Sequence, residues 1–374
     1  MKIVISPDSF KGSLSALEAA QEMDKAIKEI NPSIETVLLP VADGGEGTLD
    51  ALIAATHGSI TQVEVHDPLG RLIQVDYGVL GDGETCVIEV ARASGITLLE
   101  EKEKNPLVAS TFGTGELILH ALNLGYKKFI IGLGGSATND GGTGMLRALG
   151  MKFLSKNGEE LASEPRFLND LYEIDDSAFD TRVKECHFNI ASDVDNPFVG
   201  LKGATVIFGP QKGATPNMCK ELEENLVHLA NKIEEVTNIS LHNLSGAGAA
   251  GGLGGAFLAF FPVHMKPGIE VVMEAINFQM QIEGADFIIT GEGKSDQQTL
   301  YGKAPIGIAK IANKHGIPVI LISGFIEPES IPDLSTCFTK LVSIVNTSIS
   351  VEESLRRPSY YLRERLKETM ESIV

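Results

Sequence analysis

Both ends of this chain alternate short apolar runs with helical patterns, and this alternation constrains the fold more than any other feature. The first predicted elements are a strand over 3–7, a helix beginning near Ser15, a strand over 36–41 and a helix ending near residue 56. Ser15 and Glu18 have the spacing of a capping box at the start of the first helix. Strands that alternate with helices are typical of a parallel sheet.

The C-terminal part of the chain repeats the same order of elements. They are a strand over 285–290, a polar loop over 291–302, a helix over 305–315, strands over 318–322 and 341–345, and a helix from about 358. Gly316 stands where a helix C-terminus favours glycine. Both ends therefore predict an α/β domain with a doubly wound, Rossmann-like parallel sheet.

The middle of the chain has a different pattern. Residues 63–65, 72–80 and 85–90 are short alternating segments joined by glycine-containing turns, which is typical of antiparallel hairpins. We therefore expect a discontinuous domain formed by residues 1–60 and 285–374, with a mixed α/β domain inserted over 61–284. The active-site cleft is expected between the two domains.

Composition excludes several classes of function. The chain has 374 residues, and its net charge of -19 makes binding to nucleic acid or to anionic membranes unfavourable. Its four cysteines are scattered and lack metal-ligand spacing. The sequence begins without a signal peptide's apolar core and contains no long apolar run, so a cytoplasmic location is expected.

Three loops follow predicted strands of the split domain, over 8–12, 43–48 and 291–303. Since the carboxyl ends of parallel strands meet at one edge of a sheet, the charged side chains of these loops should lie together. They are Asp8, Lys11, Asp43, Glu46, Glu292, Asp296 and Lys303. We assign Asp8, Lys11 and Lys303 to catalysis, and Asp43, Glu292 and Asp296 to a metal ion. The alternative is that each is a solvated turn residue.

Glycine-rich segments offer places for an anion. The segment before the second helix can bind phosphate through its backbone N–H groups, although a simple tight turn is the alternative. Its residues are Gly44, Gly45, Glu46, Gly47 and Thr48. A second segment, over 130–144, also predicts nucleotide binding. Its candidate ligands are Gly134, Gly135, Ser136, Asn139 and Asp140.

The segment over 246–251 matches G-x-G-x-x-G, but only a weak strand pattern precedes it. Close packing of helices, or a hinge, explains these glycines better than a dinucleotide does. Two further polar loops follow apolar runs over 188–191 and 205–208, which are both interpreted as strands. The first loop supplies Asp193 as a base or metal ligand, and the second supplies Lys212 to neutralise a phosphate or carboxylate. Turn residues are the alternative for both.

Other chemistries lack support in the sequence. A Walker A loop is absent, since Gly293-Lys294-Ser295 lacks the earlier glycine and Lys303 is followed by Ala304. The histidines form no H-E-x-x-H motif, and no G-x-S-x-G motif is present. Zinc-dependent and serine-hydrolase functions are therefore not indicated.

Eight ordered motifs resemble the bacterial type I glycerate kinase family along nearly the whole chain. They are DSFKGS (8–13), ADGGEGT (42–48), GTGELI (113–118), GGSATNDGGTG (134–144), DVDNP (193–197), FGPQKGA (208–214), GAGAAGG (246–252) and GEGKSDQQT with the following GK (291–303).

This resemblance implies transfer of the ATP γ-phosphoryl group to D-glycerate, a two-domain fold with the site between domains, and a role in glyoxylate or sugar-acid breakdown. Phosphorylation of the 2-hydroxyl, giving 2-phosphoglycerate, is expected from the family. Magnesium is expected with ATP, because carboxylates would otherwise repel the triphosphate. A nucleotide-dependent oxidoreductase and a non-catalytic ligand-binding protein remain the alternatives.

Overall fold

The structure is a computed structural model that describes residues 1–371 and 373. Its strands and helices are numbered in chain order. The strands are β1 Lys2–Ile5, β2 Glu35–Leu38, β3 Ser59–His66, β4 Leu72–Val79, β5 Thr85–Glu89, β6 Lys128–Gly132, β7 Lys152–Leu154, β8 Glu173–Asp175, β9 His187–Ala191, β10 Val263–Lys266, β11 Phe287–Ser295, β12 Val319–Ile326 and β13 Lys340–Ser343. The α-helices are α1 Ala16–Ile30, α2 Thr48–Thr56, α3 Val90–Ser94, α4 Phe112–Asn123, α5 Thr143–Ala148, α6 Ala204–Phe208, α7 Pro216–Thr237, α8 Leu253–Phe260, α9 Gly268–Ala275, α10 Phe278–Gln281, α11 Gln297–Leu300, α12 Ala304–Lys314, α13 Ile331–Leu334, α14 Val351–Arg356 and α15 Pro358–Met370.

The chain divides into two compact units. The first combines Met1–Gly58 with Pro267–Val374, and the second is Ser59–Lys266. The second junction thus lies at residue 267 rather than near 285. The reason is that α9 packs on α12 within the first unit, where a Cβ on Gly307 would stand 2.7 Å from Cγ1 of Ile269. The next strand signal in the sequence begins at residue 285 and predicts a boundary there, which leaves α9 and α10 in the insert.

The first unit contains a five-stranded sheet in the order β13-β12-β11-β1-β2. All of its strand pairs are parallel. Ile3 and Ile5 of β1 pack in one core cluster with α1 and α15, whereas Val4 between them is also fully buried. Because side chains alternate along a strand, both faces of this sheet are covered. The predicted α/β class with a doubly wound parallel sheet is confirmed.

In the first unit, the structure confirms the predicted capping box and contradicts the predicted loop over 291–302. The capping box of Ser15 and Glu18 is present at the start of α1. The segment 291–302 was predicted to be a loop, but β11 continues through Ser295 and α11 follows. The strand continues because β12 pairs with it as far as Ser295, opposite Ile326. This partner is remote in sequence and gives no local signal.

The second unit is built on a six-stranded mixed sheet in the order β10-β9-β6-β5-β4-β3. Strands β3, β4 and β5 form the predicted antiparallel hairpins, and the other pairs are parallel. Phe129 and Phe188 stack in its core with ring centroids 4.7 Å apart. The strand predicted over 205–208 is wrong, because these residues lie in helix α6. A short apolar run does not distinguish a buried strand from a helix turn.

A search of the described part of the chain finds no helix that combines the length and the apolar character needed to cross a membrane.

Candidate active site

The first unit contains a cavity of about 250 Å³ lined by charged side chains from three loops and strand ends. These side chains are Asp8, Lys11, Asp43, Glu292, Lys294 and Lys303. The loop after β1 is tied to β11, since the N–H of Asp8 donates to the carbonyl of Gly291 at 2.9 Å. Gly293 lets β11 and the loop after β1 approach each other closely, because a Cβ at this position would lie 3.1 Å from the backbone nitrogen of Lys11. Five of the seven predicted residues therefore line one cavity.

Glu292 is held by a network of hydroxyl groups. Its Oε1 accepts hydrogen bonds from Ser295 Oγ at 2.8 Å and Thr299 Oγ1 at 2.7 Å. Its Oε2 lies 3.5 Å from Nζ of Lys303. Burial raises the pKa of Glu292, while these hydroxyls and Lys303 act in the opposite direction. The network fixes the carboxylate next to a lysine that is itself partly open to the cavity.

Asp8 is a buried carboxyl group close to other carboxylates. Burial, with a smaller contribution from the nearby Asp43 and Glu292, raises its pKa to about 7, and the N–H of Ser9 and Lys11 oppose the rise. A carboxyl group with such a pKa exchanges a proton readily at neutral pH. That property is the one required of a general base for a hydroxyl substrate.

The other two predicted residues of these loops, Asp296 and Glu46, do not line the cavity. Asp296 caps α11 by accepting from the Gln298 N–H at 2.9 Å, and its carboxylate lies 3.8 Å from Lys303 Nζ and 3.4 Å from Lys294 Nζ. Glu46 is exposed.

The glycine-rich loop after β2 is ordered partly by its own side chains. Asp43 Oδ1 accepts a hydrogen bond from the Gly45 N–H at 3.1 Å, and Thr48 Oγ1 donates to the Gly45 carbonyl at 2.8 Å. Gly47 adopts a φ of 91°, in the left-handed region, at the start of α2. Gly44, in the same loop, is buried. The loop thus places Asp43 against the cavity while its own backbone turns into the helix.

The glycine-rich segment over 130–144, which was predicted to bind a nucleotide, contains a buried carboxylate of its own. Asp140 is fully buried, and its carboxylate accepts from the Thr111 N–H at 2.8 Å, Thr111 Oγ1 at 2.7 Å, and the N–H groups of Gly142 at 3.0 Å and Gly144 at 3.1 Å. Burial raises the pKa of Asp140, and the hydrogen bonds oppose that rise. The N–H groups of Gly142 and Gly144, at the end of this segment, therefore bind an internal carboxylate.

Lys212 is buried near the same segment. Its Nζ donates to Ser136 Oγ at 2.8 Å and to the carbonyl of Thr138 at 2.7 Å. Burial lowers the pKa of Lys212 to about 7, and the carboxylate of Asp140 opposes this effect. Asn139, also fully buried, donates from Nδ2 to Thr205 Oγ1 at 3.0 Å. These contacts join loops that are distant in sequence.

The glycines of this region serve close packing. A Cβ on Gly251 would stand 2.0 Å from the Thr138 carbonyl oxygen, and one on Gly142 would stand 2.5 Å from Cβ of Ala256. In the G-x-G-x-x-G match, Gly251 thus lies close to the backbone of another loop, whereas the sequence predicts close packing of helices or a hinge. Gly135 is exposed and Gly134 is partly exposed at the turn after β6, and Asp193 is exposed after β9.

Replacement of Asp140 by alanine is expected to lower the free energy of unfolding by roughly 3 kcal/mol, since buried N–H donors would lose their acceptor. Urea unfolding followed by circular dichroism measures this change. Asp195→Ala is the matched control, because Asp195 is an exposed aspartate in the same unit. Equal unfolding midpoints for the two variants would contradict a structural role for Asp140.

The donor set of the cavity suits magnesium. Within residues 1–371 and 373, no group of three or more His, Cys, Asp or Glu side chains is arranged to hold a metal ion. Magnesium sites in phosphoryl-transfer enzymes commonly use one or two carboxylates, with phosphate oxygens and water as the other ligands. Asp43 and Glu292 fit that smaller set.

Comparison with known proteins gives the family. The profile described as "Glycerate kinase family" matches residues 3–374. This chain belongs to the glycerate kinase family. It is accordingly a phosphotransferase with an alcohol group as acceptor, and a kinase of this family implies ATP as co-substrate.

Named relatives agree with this membership. A glycerate kinase of Bacillus subtilis (strain 168) is 44% identical over 373 residues, which cover 100% of this chain and 98% of the relative. A glycerate 2-kinase of Escherichia coli (strain K12) is 49% identical over 324 residues, covering 87% of this chain and 85% of the relative. A crystal structure described as glycerate kinase 2 from Salmonella typhimurium LT2 superposes with a TM-score of 0.90 at 42% identity, covering 100% of this chain and 98% of that one.

The sequence analysis did not identify three hydroxyl residues near the cavity. Ser295 and Thr299 follow Glu292 closely in sequence, but their hydroxyls were not assigned to its carboxylate. Ser323, whose Oγ lies 2.6 Å from Ser295 Oγ, comes from β12. Only the pairing of β11 with β12 brings it to the site, so its sequence context carries no signal.

Proposed function

We propose that the protein transfers the γ-phosphoryl group of ATP to the 2-hydroxyl of D-glycerate, with magnesium, at the cavity of the first unit. The observation that carries this proposal is the meeting of Asp8, Asp43, Glu292, Lys11 and Lys303 around one cavity in a member of a kinase family. The 2-hydroxyl is favoured by the relative named glycerate 2-kinase.

Each of these residues has a role in the proposal. Asp8, with its raised pKa, accepts the proton of the attacking hydroxyl. Lys11 and Lys303 stabilise negative charge on the transferred phosphoryl oxygens. Bound Mg²⁺, held by Asp43 and Glu292, would neutralise charge on the β- and γ-phosphates. Asp296 and the loop over 44–48 are further candidates beside the cavity.

The candidates of the second unit stay predictions. Asp140 and Lys212 have internal hydrogen-bond partners, so a structural role is sufficient to explain their burial. Ser136 and Asn139 take part in the same contacts, while Gly134, Gly135 and Asp193 are open to solvent to some degree.

A direct assay tests the reaction. ADP release from ATP and magnesium should depend on D-glycerate, and phosphorus NMR should identify the product as the 2-phosphate. ADP release of the same rate without glycerate would contradict the kinase assignment. A 3-phosphate product would contradict the choice of the 2-hydroxyl as acceptor but not the kinase reaction.

Metal dependence is a second expected outcome. Excess EDTA should abolish turnover, because the carboxylates of the cavity would repel an uncompensated triphosphate. Added MgCl₂ should restore it in the same sample, which controls for damage by the chelator. Full turnover in EDTA would contradict the proposal that Asp43 and Glu292 bind a metal ion required for the reaction.

A further inference from the structure

The cavity of the first unit has two chemically different ends. One end carries the carboxylates and lysines described above. The other lies toward β12 and β13, at the opposite side of the sheet from β1 and β2, where Phe325, Val345, Val351 and Leu355 contribute apolar side chains to the lining. A ligand that contacts both ends must therefore have one charged part and one apolar part.

Helix α14 presents an apolar face to this cavity. Val351 and Leu355 are four positions apart, so they lie on the same side of the helix, and both line the cavity. Their exposed fractions are 54% and 53%. A capping box of Ser350 and Glu353 fixes the start of the helix. Single exposed apolar residues are ordinary on surfaces, but an adjacent pair that faces a cavity marks a place for an apolar ligand group.

The chemistry of the two substrates selects the occupant. D-glycerate bears an oxygen on every carbon and has little apolar surface to bury. ATP combines a triphosphate with a flat purine base. The lysines at the polar end complement the triphosphate, and the apolar end complements the base.

We propose that the apolar end, formed by Phe325, Val345, Val351 and Leu355, is the subsite for the purine base of ATP. The inference rests on the proposed function, since it takes ATP to be the donor bound in this cavity. It assigns the base to side chains of β12, of the segment after β13 and of α14, and none of these four residues belongs to the motifs singled out in the sequence.

The variant Leu355→Glu tests the subsite, because it places a charge at the apolar end and, at a half-exposed position, should preserve the fold. The KM for ATP should rise about tenfold or more, whereas kcat and the KM for D-glycerate should change less than about twofold. Calorimetry with MgADP should show the same loss of affinity. Inhibition by inorganic tripolyphosphate, which lacks a base, should stay as in the wild type.

Leu72→Glu serves as the matched control, since Leu72 is an exposed leucine in the second unit and does not line the cavity. Thermal unfolding by circular dichroism checks that both variants fold, and Val351→Ala repeats the test with a smaller change. An unchanged KM for ATP in folded Leu355→Glu and Val351→Ala would overturn the subsite, as would a rise in the KM for glycerate alone. Absence of glycerate-dependent ATP turnover in the wild-type enzyme would instead overturn the proposed function.

Discussion

Asp8→Asn is expected to lower kcat about 10²–10⁴-fold while making the folded protein more stable at neutral and higher pH. The asparagine amide cannot accept the proton of the substrate hydroxyl. It can still accept the hydrogen bond that the Ser9 N–H donates to Asp8 Oδ1 at 2.6 Å. The activity loss should therefore come from chemistry rather than from a change of fold.

The gain in stability follows from the pKa of Asp8. Burial raises that pKa from 3.8 to about 7, so the folded state binds the proton more tightly than the unfolded state does. The stability from this group is complete below pH 3.8 and is lost as the pH rises through about 7. Asn resembles the protonated form and removes the cost of burying a charge, which amounts to a few kcal/mol, on the order of what a shift of this size represents.

Two measurements separate these effects. The kcat/KM of the wild type should rise with pH through the neutral range, because the ionised carboxylate is the active form, and the Tm of Asp8→Asn should exceed that of the wild type above pH 7. Asp170→Asn is the control, since Asp170 is exposed in the second unit. A wild-type profile that is flat between pH 5 and 8, together with a fully active Asp8→Asn, would exclude Asp8 as the base.

Lys303→Ala is expected to lower kcat/KM for ATP by about 10²–10³-fold, equivalent to roughly 2–4 kcal/mol of transition-state stabilisation. The ammonium group lines the cavity and lies 3.5 Å from Glu292 Oε2, so its loss removes positive charge from the phosphoryl site. Lys11→Ala, on the neighbouring loop, should have an effect of similar size. Steady-state kinetics with ATP varied at saturating D-glycerate measure both losses.

Lys310→Ala is the matched control for the lysine variants. Lys310 is an exposed lysine on α12, the helix that follows Lys303, and it does not line the cavity. Its kcat/KM should equal that of the wild type. If Lys303→Ala and Lys11→Ala both behave like Lys310→Ala, the cavity of the first unit is not the place of phosphoryl transfer.

The sequence predicted those parts of the fold that local signals determine. The capping box of Ser15 and Glu18 and the turns between β3, β4 and β5 depend on residues a few positions apart, and the structure contains them. The continuation of β11 to Ser295 depends on β12 instead, and the choice of helix over strand at α6 depends on packing. Such partners are remote along the chain and leave no periodic pattern.

The candidate site shows the same division. The rule that loops after parallel strands converge was enough to group Asp8, Asp43 and Glu292, which line one cavity. Sequence did not reveal that the glycine-rich segment over 130–144 contains a buried carboxylate, that of Asp140, because part of its hydrogen bonding comes from the remote Thr111. Nor could it reveal the apolar end, because α14 has no motif and its role depends on the cavity that it faces.

The order in which the first unit is assembled follows from its split sequence. Thr290 Oγ1 of β11 donates to the carbonyl of Ser6, which directly follows β1, and these two residues are 284 positions apart. During synthesis from the N-terminus, β1 and β2 leave the ribosome long before β11, β12 and β13 exist to pair with them. All residues of the second unit, Ser59–Lys266, are available earlier. The inserted unit can therefore complete its core first, while the segment that carries Asp8 and Asp43 lacks β11, β12 and β13 until those strands have been synthesised.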